Sequence, residues 1–350
     1  MKVAIIGAGA TGLSAARFLC EAGHKVTVFE QFTEGHAHGS SHGTSRITRK
    51  TYVDPYYTAL MQEVFPLWDE LESSIDEQIY VPTGLLFFGK PEAQQMKLGQ
   101  KSLAENHVAY EMLNPVEVAR RFSGFHLEPD EVAIFQQDAG YLRADRILKL
   151  LADRVRKLGG EIKYGTRAEL GSEGRVNGEK FDAVAICAGS WITNFVSIPV
   201  RSHKQLFAYF EAPPMPDLPV WVEASDQSWY GFPNYGRGLK IGVHEHGTVV
   251  DPDVLERSVE PTVLASLKSY ATFRLHESAK VIETHTCLYT VEQHEDFQIG
   301  KVDSEVPTYY VSGCSGHGFK FTVWFGWLLR EFIEGRKSPA DYPKFAVKSK

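Results

Sequence analysis

Three glycines near the N-terminus have the spacing that dinucleotide binding requires. Gly7, Gly9 and Gly12 form a GxGxxG pattern, with Ala10 and Thr11 inside it, after a short apolar run and at the start of a helical pattern. The first glycine allows a tight turn, the second lets the backbone approach a pyrophosphate, and the third permits close packing of helix on sheet. The helix N-terminus then faces the phosphates.

An acidic residue completes this pattern. Glu30 lies 18 residues beyond Gly12, at the end of the next apolar run. A carboxylate at this position accepts hydrogen bonds from ribose hydroxyls, and it disfavours a 2′-phosphate. The sequence therefore predicts a dinucleotide cofactor and leaves both NAD and FAD open.

Two further segments carry cations. Arg46 and Arg49 are three residues apart in loop 39–50, so one helical turn would align them on one face. In segment 312–321, three glycines within six residues allow the backbone close to a flat ring or an anion. Lys320 follows them at the start of the final helix, where a lysine is unfavourable unless it meets an anion. The alternatives are a solvated basic loop for the arginines and a glycine-rich turn with an exposed lysine.

The hydrophobic pattern predicts the elements that position these residues. The chain begins with a βαβ unit: strands Lys2–Ile6 and Lys25–Phe29 flank a helix over residues 11–21. Residues 31–55 show no regular pattern, which indicates a functional loop. Residues 205–245 alternate strand-like runs with turns, which is typical of an antiparallel sheet. The other predicted elements are helices over residues 54–73, 144–158 and 321–334 and strands over 80–89 and 181–188.

Composition excludes several classes of protein. The 37 Lys+Arg against 44 Asp+Glu give 350 residues a formal charge of −7, which is not that of a polybasic nucleic-acid binder. Four scattered cysteines without a CxxC pair predict a reducing, cytoplasmic location and no metal site. No apolar run is long enough to span a membrane, and glycines interrupt the apolar N-terminus too early for a signal peptide.

Several motifs together resemble the monomeric sarcosine oxidase family of FAD-dependent amine oxidoreductases, which includes N-methyltryptophan oxidase. They occur in family order from residue 1 to about residue 335, and the last two are the most specific. The motifs are the GxGxxG unit, the Gly-Ser-x-His-Gly-x-x-Arg loop from Gly39, Tyr230-Gly-Phe-Pro, Gly238-Leu-Lys-x-Gly, Cys287-x-Tyr-Thr and Ser315-Gly-His-Gly-Phe-Lys-Phe.

The resemblance implies a mixed α/β (α+β) fold, with a Rossmann-type FAD-binding domain and an interleaved antiparallel-β substrate domain. The FAD-binding domain is expected to comprise residues 1–75, 137–200 and 281–350, and the substrate domain residues 76–136 and 201–280. Trp221 and Trp229 fall in the segment that lines the substrate cavity, so we expect them to alter its side-chain pocket.

The resemblance also implies the roles of individual residues. Cofactor contacts are expected from Gly7, Gly9, Ala10, Thr11, Gly12, Glu30, Ser41, Gly316, Gly318 and Lys320, with a covalent thioether from Cys287. In Thr286-Cys287-Leu288-Tyr289 the cysteine by itself is more typical of a small buried hydrophobe. Arg49 and Lys320, with Tyr289, are expected to bind a substrate carboxylate. The expected catalytic residues are Lys240, Arg46, His42, Tyr230 and His244, with Lys240 on the face of the flavin where O2 is reduced.

The resemblance predicts an FAD-dependent oxidase of N-methyl or secondary amino acids. Oxidation of the C–N bond yields an imine that water hydrolyses, and O2 is reduced to H2O2. We expect a monomer whose partners are a small carboxylated amine and O2, with neither nucleic acid nor membrane. Two alternatives are a dehydrogenase that passes electrons to another acceptor and a non-catalytic dinucleotide-binding sensor.

Overall fold

A computed structural model describes residues 1–254, 256–275 and 280–347 of the chain. They form a mixed α/β fold, as predicted, in which most strands belong to two large sheets. The strands are β1 (Lys2–Ile6), β2 (Lys25–Phe29), β3 (Ser45–Thr48), β4 (Tyr80–Val81), β5 (Leu85–Gly89), β6 (Glu111–Leu113), β7 (Val132–Gln136), β8 (Gly140–Arg143), β9 (Glu161–Lys163), β10 (Arg175–Val176), β11 (Glu179–Lys180), β12 (Ala183–Ile186), β13 (Val200–Phe210), β14 (Val220–Glu223), β15 (Trp229–Phe232), β16 (Leu239–Val243), β17 (Val281–Glu292), β18 (Gln298–Lys301) and β19 (Thr308–Ser312).

Helices cover the six-stranded sheet and flank the second one. Asp54 begins one of them as an N-cap, since its side chain accepts a hydrogen bond from the backbone N–H of Tyr56 and Pro55 occupies the first helical position. The helices are α1 (Ala10–Glu21), α2 (Pro55–Ser73), α3 (Gln94–Glu105), α4 (Pro115–Arg121), α5 (Ala144–Lys157), α6 (Pro261–Leu275) and α7 (Thr322–Ile333).

The first large sheet has six strands in the order β18-β19-β12-β1-β2-β9. All neighbours are parallel except β18 and β19, so the central strands are buried on both faces and read as apolar runs. Helices α1 and α7 pack closely on one another at Gly326. A Cβ at this position would lie only 2.5 Å from Oγ of Ser14, so the contact requires glycine. In such a sheet, ligands bind beyond the carboxyl ends of the strands.

The second large sheet has eight strands in the order β17-β13-β16-β15-β14-β5-β7-β6 and is largely antiparallel. Its register determines which side chains share a face, because residues directly opposite each other point to the same side. Tyr209 lies opposite Lys240, which lies opposite Phe232, and Gln205 lies opposite Cys287. With the period of two along each strand, Lys240, Tyr230 and Cys287 share one face.

The opposite face of this sheet buries the two tryptophans. Trp221 and Trp229 belong to an apolar cluster beneath α6, where Trp229 stacks on Tyr270 at 4.6 Å between ring centroids. The expectation that they shape the substrate pocket was wrong, because both occupy strand positions that point away from the face carrying Tyr230.

Loop 31–55 contains regular structure that its sequence did not reveal. Residues Ser45–Thr48 form β3, which pairs with β8 in a three-stranded sheet. The expectation that one helical turn aligns Arg46 and Arg49 was therefore wrong. Hydrogen bonding to β8 keeps Ser45–Thr48 extended, so Arg46 lies on a strand and Arg49 directly follows it, and no helical turn joins them.

The division into domains stays a prediction. Strand Val281–Glu292, which the prediction assigns to the FAD-binding domain, pairs with β13 in the eight-stranded sheet. Over the described part of the chain, each helix is too short or too polar to cross a membrane.

Candidate active site

A single large cavity brings the predicted site residues together. It has a volume of about 1000 Å³ and extends from the carboxyl edge of the six-stranded sheet to one face of the eight-stranded sheet. Every residue predicted to contact cofactor or substrate or to act in catalysis lines it except Gly12, and the two tryptophans expected to shape the substrate pocket do not line it. The cavity is the place where the two sheets meet, so residues from both ends of the sequence reach it.

The glycine pattern forms a narrow cradle between β1 and β12. Gly7 has φ +102°, and a Cβ there would lie 2.4 Å from the carbonyl oxygen of Cys187. A Cβ at Gly9 would lie 3.2 Å from Oγ of Ser41, and one at Gly12 would lie 1.9 Å from the carbonyl oxygen of Gly7. Gly12 therefore acts through helix–sheet packing, which explains why it does not line the cavity.

The start of α1 offers N–H groups to this cradle. Gly9 is the N-cap and supplies no side-chain cap, while the N–H of Ala10 donates to Oγ of Ser41 at 3.1 Å. A helix N-terminus carries partial positive charge and free donors. These features fit a pyrophosphate.

Glu30 is buried beside this cradle, as a ribose-binding carboxylate requires. It accepts hydrogen bonds from the backbone N–H groups of Ala8 at 2.9 Å and Phe32 at 3.0 Å, and Nε2 of His36 lies 3.5 Å away. Burial alone would raise the pKa of Glu30, but His36 and the two N–H groups hold it below its usual value. The group is therefore an ionised acceptor at neutral pH.

Loop 39–50 is organised around Arg46. Its guanidinium donates to the carbonyl oxygens of Ser40 at 2.8 Å, His42 at 2.5 Å and Ser45 at 2.9 Å, so the arginine holds the loop in shape. Burial, with the charge of Arg46 next, lowers the pKa of His42 to about 3. His42 is therefore a neutral imidazole in the cavity wall.

Lys240 is buried on the cavity face of the eight-stranded sheet. Its Nζ donates to the carbonyl oxygen of Ser45 at 3.2 Å and lies 4.6 Å and 4.7 Å from the ring centroids of Phe207 and Phe232. Burial, followed by the charge of Arg46, lowers the pKa of Lys240 well below its ordinary value.

Arg49 and Lys320 lie on either side of Tyr52. The guanidinium carbon of Arg49 is 5.1 Å from the Tyr52 ring and 5.7 Å from that of Phe87. Its Nη1 atom is buried and has no hydrogen-bond partner among the described residues. Lys320 donates from Nζ to Oη of Tyr52 at 3.0 Å and to the carbonyl oxygen of His317 at 3.1 Å.

The four cations share an electrostatic property. Arg46, Arg49, Lys240 and Lys320 contact carbonyls, hydroxyls and aromatic rings, and none forms an ion pair with a carboxylate in the described ranges. Burial lowers the pKa of Lys320 well below its ordinary value, and Arg49 lowers it further. Uncompensated cations in a buried cavity favour an anionic ligand.

Cys287 completes the cavity face together with Tyr230 and Tyr289. Cys287 is a buried free thiol, and burial raises its pKa although Arg46, Lys240 and Arg257 oppose the shift. Gly316 lets Tyr289 approach the glycine-rich segment, because a Cβ at Gly316 would lie 2.2 Å from Cε2 of Tyr289.

Sequence reasoning missed Tyr52. Its hydroxyl accepts from Lys320 and its ring faces Arg49, so it fixes the spacing of the two predicted anion-binding cations. Burial raises the pKa of Tyr52, which keeps the phenol neutral. Only its position three residues after Arg49 could have suggested this role.

Comparison with known proteins adds independent findings. Residues 2–332 match the family model described as FAD dependent oxidoreductase, DAO. Peroxisomal sarcosine oxidase of Homo sapiens is 28% identical, with 98% of this chain and 94% of that protein covered. Monomeric sarcosine oxidase of Bacillus sp. (strain B-0618) is 27% identical, with coverage of 99% and 95%. N-methyl-L-tryptophan oxidase of Yersinia pestis (strain Pestoides F) is 26% identical, with coverage of 98% and 97%.

Solved structures share the fold. The open form of NikD, an unusual amino acid oxidase, superposes with a TM-score of 0.86 at 22% identity, covering 99% of this chain and 97% of that one. L-proline dehydrogenase from P. horikoshii superposes with a TM-score of 0.84 at 17% identity, covering 99% of both chains. At these identities the likeness concerns the fold alone.

Proposed function

The chain belongs to the family of FAD dependent oxidoreductases, and from this premise we propose that it is an oxidase of N-methyl or secondary amino acids. The relatives named as sarcosine and N-methyl-L-tryptophan oxidases support amine oxidation as the reaction class. The observation that carries the proposal is the pair of cations Arg49, half-buried with a buried Nη1, and Lys320, which is buried; neither has a carboxylate partner among the described residues.

The residues of the cradle fit the cofactor. Gly7, Gly9 and the N-terminus of α1 would hold the FAD pyrophosphate, and Glu30 would accept the ribose hydroxyls. When bound, FAD supplies the two-electron chemistry: the substrate C–N bond is oxidised to an imine that water hydrolyses, and O2 receives the electrons to give H2O2.

Arg49 and Lys320 bind the substrate carboxylate in this proposal. Arg49 presents an unpaired Nη1 toward a wall of Tyr52 and Phe87 rings, where little water competes for a carboxylate. Hydrogen bonds between ionised groups are about twice as strong as neutral ones. Two fixed cations determine the position of the carboxylate and hence of the amine, and positioning of this kind lowers the barrier.

Lys240 stabilises the negative charge that develops on O2 as it is reduced. Its Nζ is held by Ser45 and by two aromatic rings, so the charge is preorganised and costs no rearrangement during the reaction. The lowered pKa of Lys240 sets a limit, because the amine loses this role as pH rises through that pKa.

Cys287 is the proposed point of covalent attachment of the flavin. Strand β17 holds it on the cavity face opposite Gln205; burial raises the pKa of the Cys287 thiol, and the charges of Arg46 and Lys240 oppose that rise. The thiolate is the nucleophilic form of cysteine.

Anaerobic reduction of the flavin tests the substrate class. Sarcosine, other N-methyl amino acids, proline and pipecolate are each added to the holoenzyme without O2, and loss of the oxidised flavin absorbance is followed. At least one acid is expected to bleach the flavin, whereas its methyl ester, which lacks the carboxylate charge, bleaches it far more weakly. Bleaching by neither acid nor ester, or by both equally, would refute the proposal.

Admission of air then separates an oxidase from a dehydrogenase. An oxidase restores the flavin absorbance rapidly and releases one H2O2 per substrate. Burial, followed by the charge of Arg46, lowers the pKa of Lys240, and this direction favours the dehydrogenase as a second candidate, because loss of the ammonium charge would remove the stabilisation of reduced O2. Slow recovery in air with rapid recovery on adding an artificial acceptor would support it, and absence of bleaching by every amine would support a sensor.

The remaining proposals concern the cellular location and the oligomeric state of the enzyme. We propose a cytoplasmic monomer, which accords with four free cysteines and with relatives named monomeric sarcosine oxidases. A single mass that does not change with concentration in light scattering would support the monomer.

A further inference from the structure

Two histidines and a glutamate meet at the rim of the cavity. His244, His246 and Glu295 each offer one ligand atom, and these atoms all lie within 4.8 Å of one another. Nε2 of His246 is 2.9 Å from Oε1 of Glu295, and Nε2 of His244 is 3.8 Å from Oε2. All three residues are partly buried, so the site is accessible to solvent.

The backbone holds the three residues in place. His244 and His246 follow β16 on either side of a bend at Glu245, and the backbone N–H groups of His244 and Glu245 donate to the carbonyl oxygens of Ser228 at 3.2 Å and Gln227 at 3.0 Å. Glu295 comes from the turn after β17 and has φ +59°, a conformation uncommon outside glycine. Its N–H donates to the carbonyl oxygen of Glu292, and its own carbonyl accepts from Nε2 of His317, both at 3.0 Å.

The imidazoles and the carboxylate face one another in this cluster. Nε2 of His246 is buried and lies 2.9 Å from Oε1 of Glu295, so a shared cation would have ligand atoms on both sides.

Two imidazoles and one carboxylate are typical of a zinc site. In a tetrahedral Zn²⁺ site the ligands lie about 2.0–2.2 Å from the metal, so neighbouring ligand atoms are about 3.3 Å apart. The distance from His246 to Oε1 is 2.9 Å and that from His244 to Oε2 is 3.8 Å, so these two lie on either side of this value, and all three ligand atoms lie within 4.8 Å of one another. Imidazole nitrogen is a good ligand for Zn²⁺, whereas Mg²⁺ and Ca²⁺ are bound by oxygen atoms. The two histidines therefore favour Zn²⁺. Cysteine spacing could not reveal such a site, because its ligands are histidines and a distant glutamate.

We propose that His244, His246 and Glu295 form a binding site for Zn²⁺ at the cavity rim, and that the ion inhibits the enzyme reversibly. His244 and Glu295 line the cavity, and the His244 ring lies 5.6 Å from that of Tyr289. A bound ion fixes the His244 imidazole and adds positive charge at the rim. The inhibition rests on the proposed oxidase function, whereas the binding does not.

Calorimetric titration of the holoenzyme with ZnCl2 tests the site. The wild-type protein is expected to bind one Zn²⁺, and His246→Gln to weaken this binding by at least about tenfold, since a ligand is lost. His203→Gln is the matched control: the His203 ring lies 5.4 Å from that of His246, and its Nδ1 is hydrogen bonded to the carbonyl oxygen of Gly247. Equal binding by wild type and His246→Gln would overturn the proposal.

Two additional measurements make the test decisive. Glu295→Gln should also weaken binding, which guards against a His246→Gln variant that does not fold. Turnover by His246→Gln without metal should equal that of the wild type, while Zn²⁺ should slow only the wild type and His203→Gln. Inhibition that persists in His246→Gln would overturn the inhibitory role. Because calorimetry needs no turnover, failure of the zinc site and failure of the oxidase proposal are distinguishable.

Discussion

Replacement of Arg49 by methionine should weaken substrate binding and at the same time stabilise the protein. Arg49 lies between aromatic rings, and its Nη1 is buried without a partner in the described part of the chain. An uncompensated buried charge is unfavourable for folding, as the lowered pKa of this guanidinium indicates. Methionine is unbranched and has a similar length, so it can fill the same space.

The two effects have different magnitudes. Loss of one partner of a desolvated charge pair costs about 2–5 kcal/mol of binding free energy, so the apparent substrate constant should rise at least about 30-fold. Replacing buried charges by apolar groups stabilises a protein by about 1–4 kcal/mol, and the lower half applies here because part of Arg49 faces the cavity. Unfolding entropy of about 2.1 cal/mol/K per residue over 350 residues makes 1 kcal/mol equal to about 1.4 °C. The expected rise in Tm is therefore about 1–3 °C.

Arg274→Met is the matched control. Arg274 is buried, but it donates to Glu131 at 2.6 and 2.8 Å and to Glu223 at 3.1 Å, and it does not line the cavity. Its removal leaves a buried carboxylate without its partner, which costs about 3–5 kcal/mol and lowers Tm by about 4–7 °C. Steady-state kinetics, flavin absorbance and calorimetry are measured on both variants. A fall in Tm for Arg49→Met, or loss of flavin in proportion to the loss of substrate affinity, would refute the reasoning and make Arg49 a structural residue.

Three other predictions concern the cavity. Cys287→Ala should release flavin into the supernatant after acid precipitation, while Cys20→Ala, a buried cysteine outside the cavity, should retain it as the wild type does. Lys240→Met should slow reoxidation by O2 about 10²–10³-fold in stopped-flow experiments while substrate reduction changes little, and equal slowing of both steps would contradict its assignment. Burial, then Lys320, lowers the pKa of His317 to about 3, so between pH 6.5 and pH 3 only the unfolded chain binds this proton. As pH is lowered, the free energy of unfolding should therefore decrease by up to about 1.4 kcal/mol per pH unit from this group. In urea titrations at pH 6 and pH 5, His317→Gln should lose correspondingly less unfolding free energy between the two pH values than the wild type does.

Local sequence was sufficient wherever a residue acts through its immediate neighbours. The GxGxxG unit was predicted because strand, turn and helix are contiguous, and the observed β1 and α1 agree with it to within one residue. The same holds for α2, whose start follows from Asp54 and Pro55. Local patterns failed for β3, because an extended segment of four residues is stabilised by its hydrogen bonds to β8, about a hundred residues away.

The chain alone therefore determined the cofactor cradle, the kinds of charged residue in the site and the mixed α/β class. Tertiary structure decided which of these residues meet. The register of β13 with β16 and β17 places Lys240 and Cys287 on one sheet face, and the register of β15 with β14 and β16 turns Trp221 and Trp229 away from the cavity. The rim cluster of His244, His246 and Glu295 likewise depends on the packing of two distant segments. Register and packing are long-range properties, since a shift of one residue in a strand moves every side chain to the opposite face.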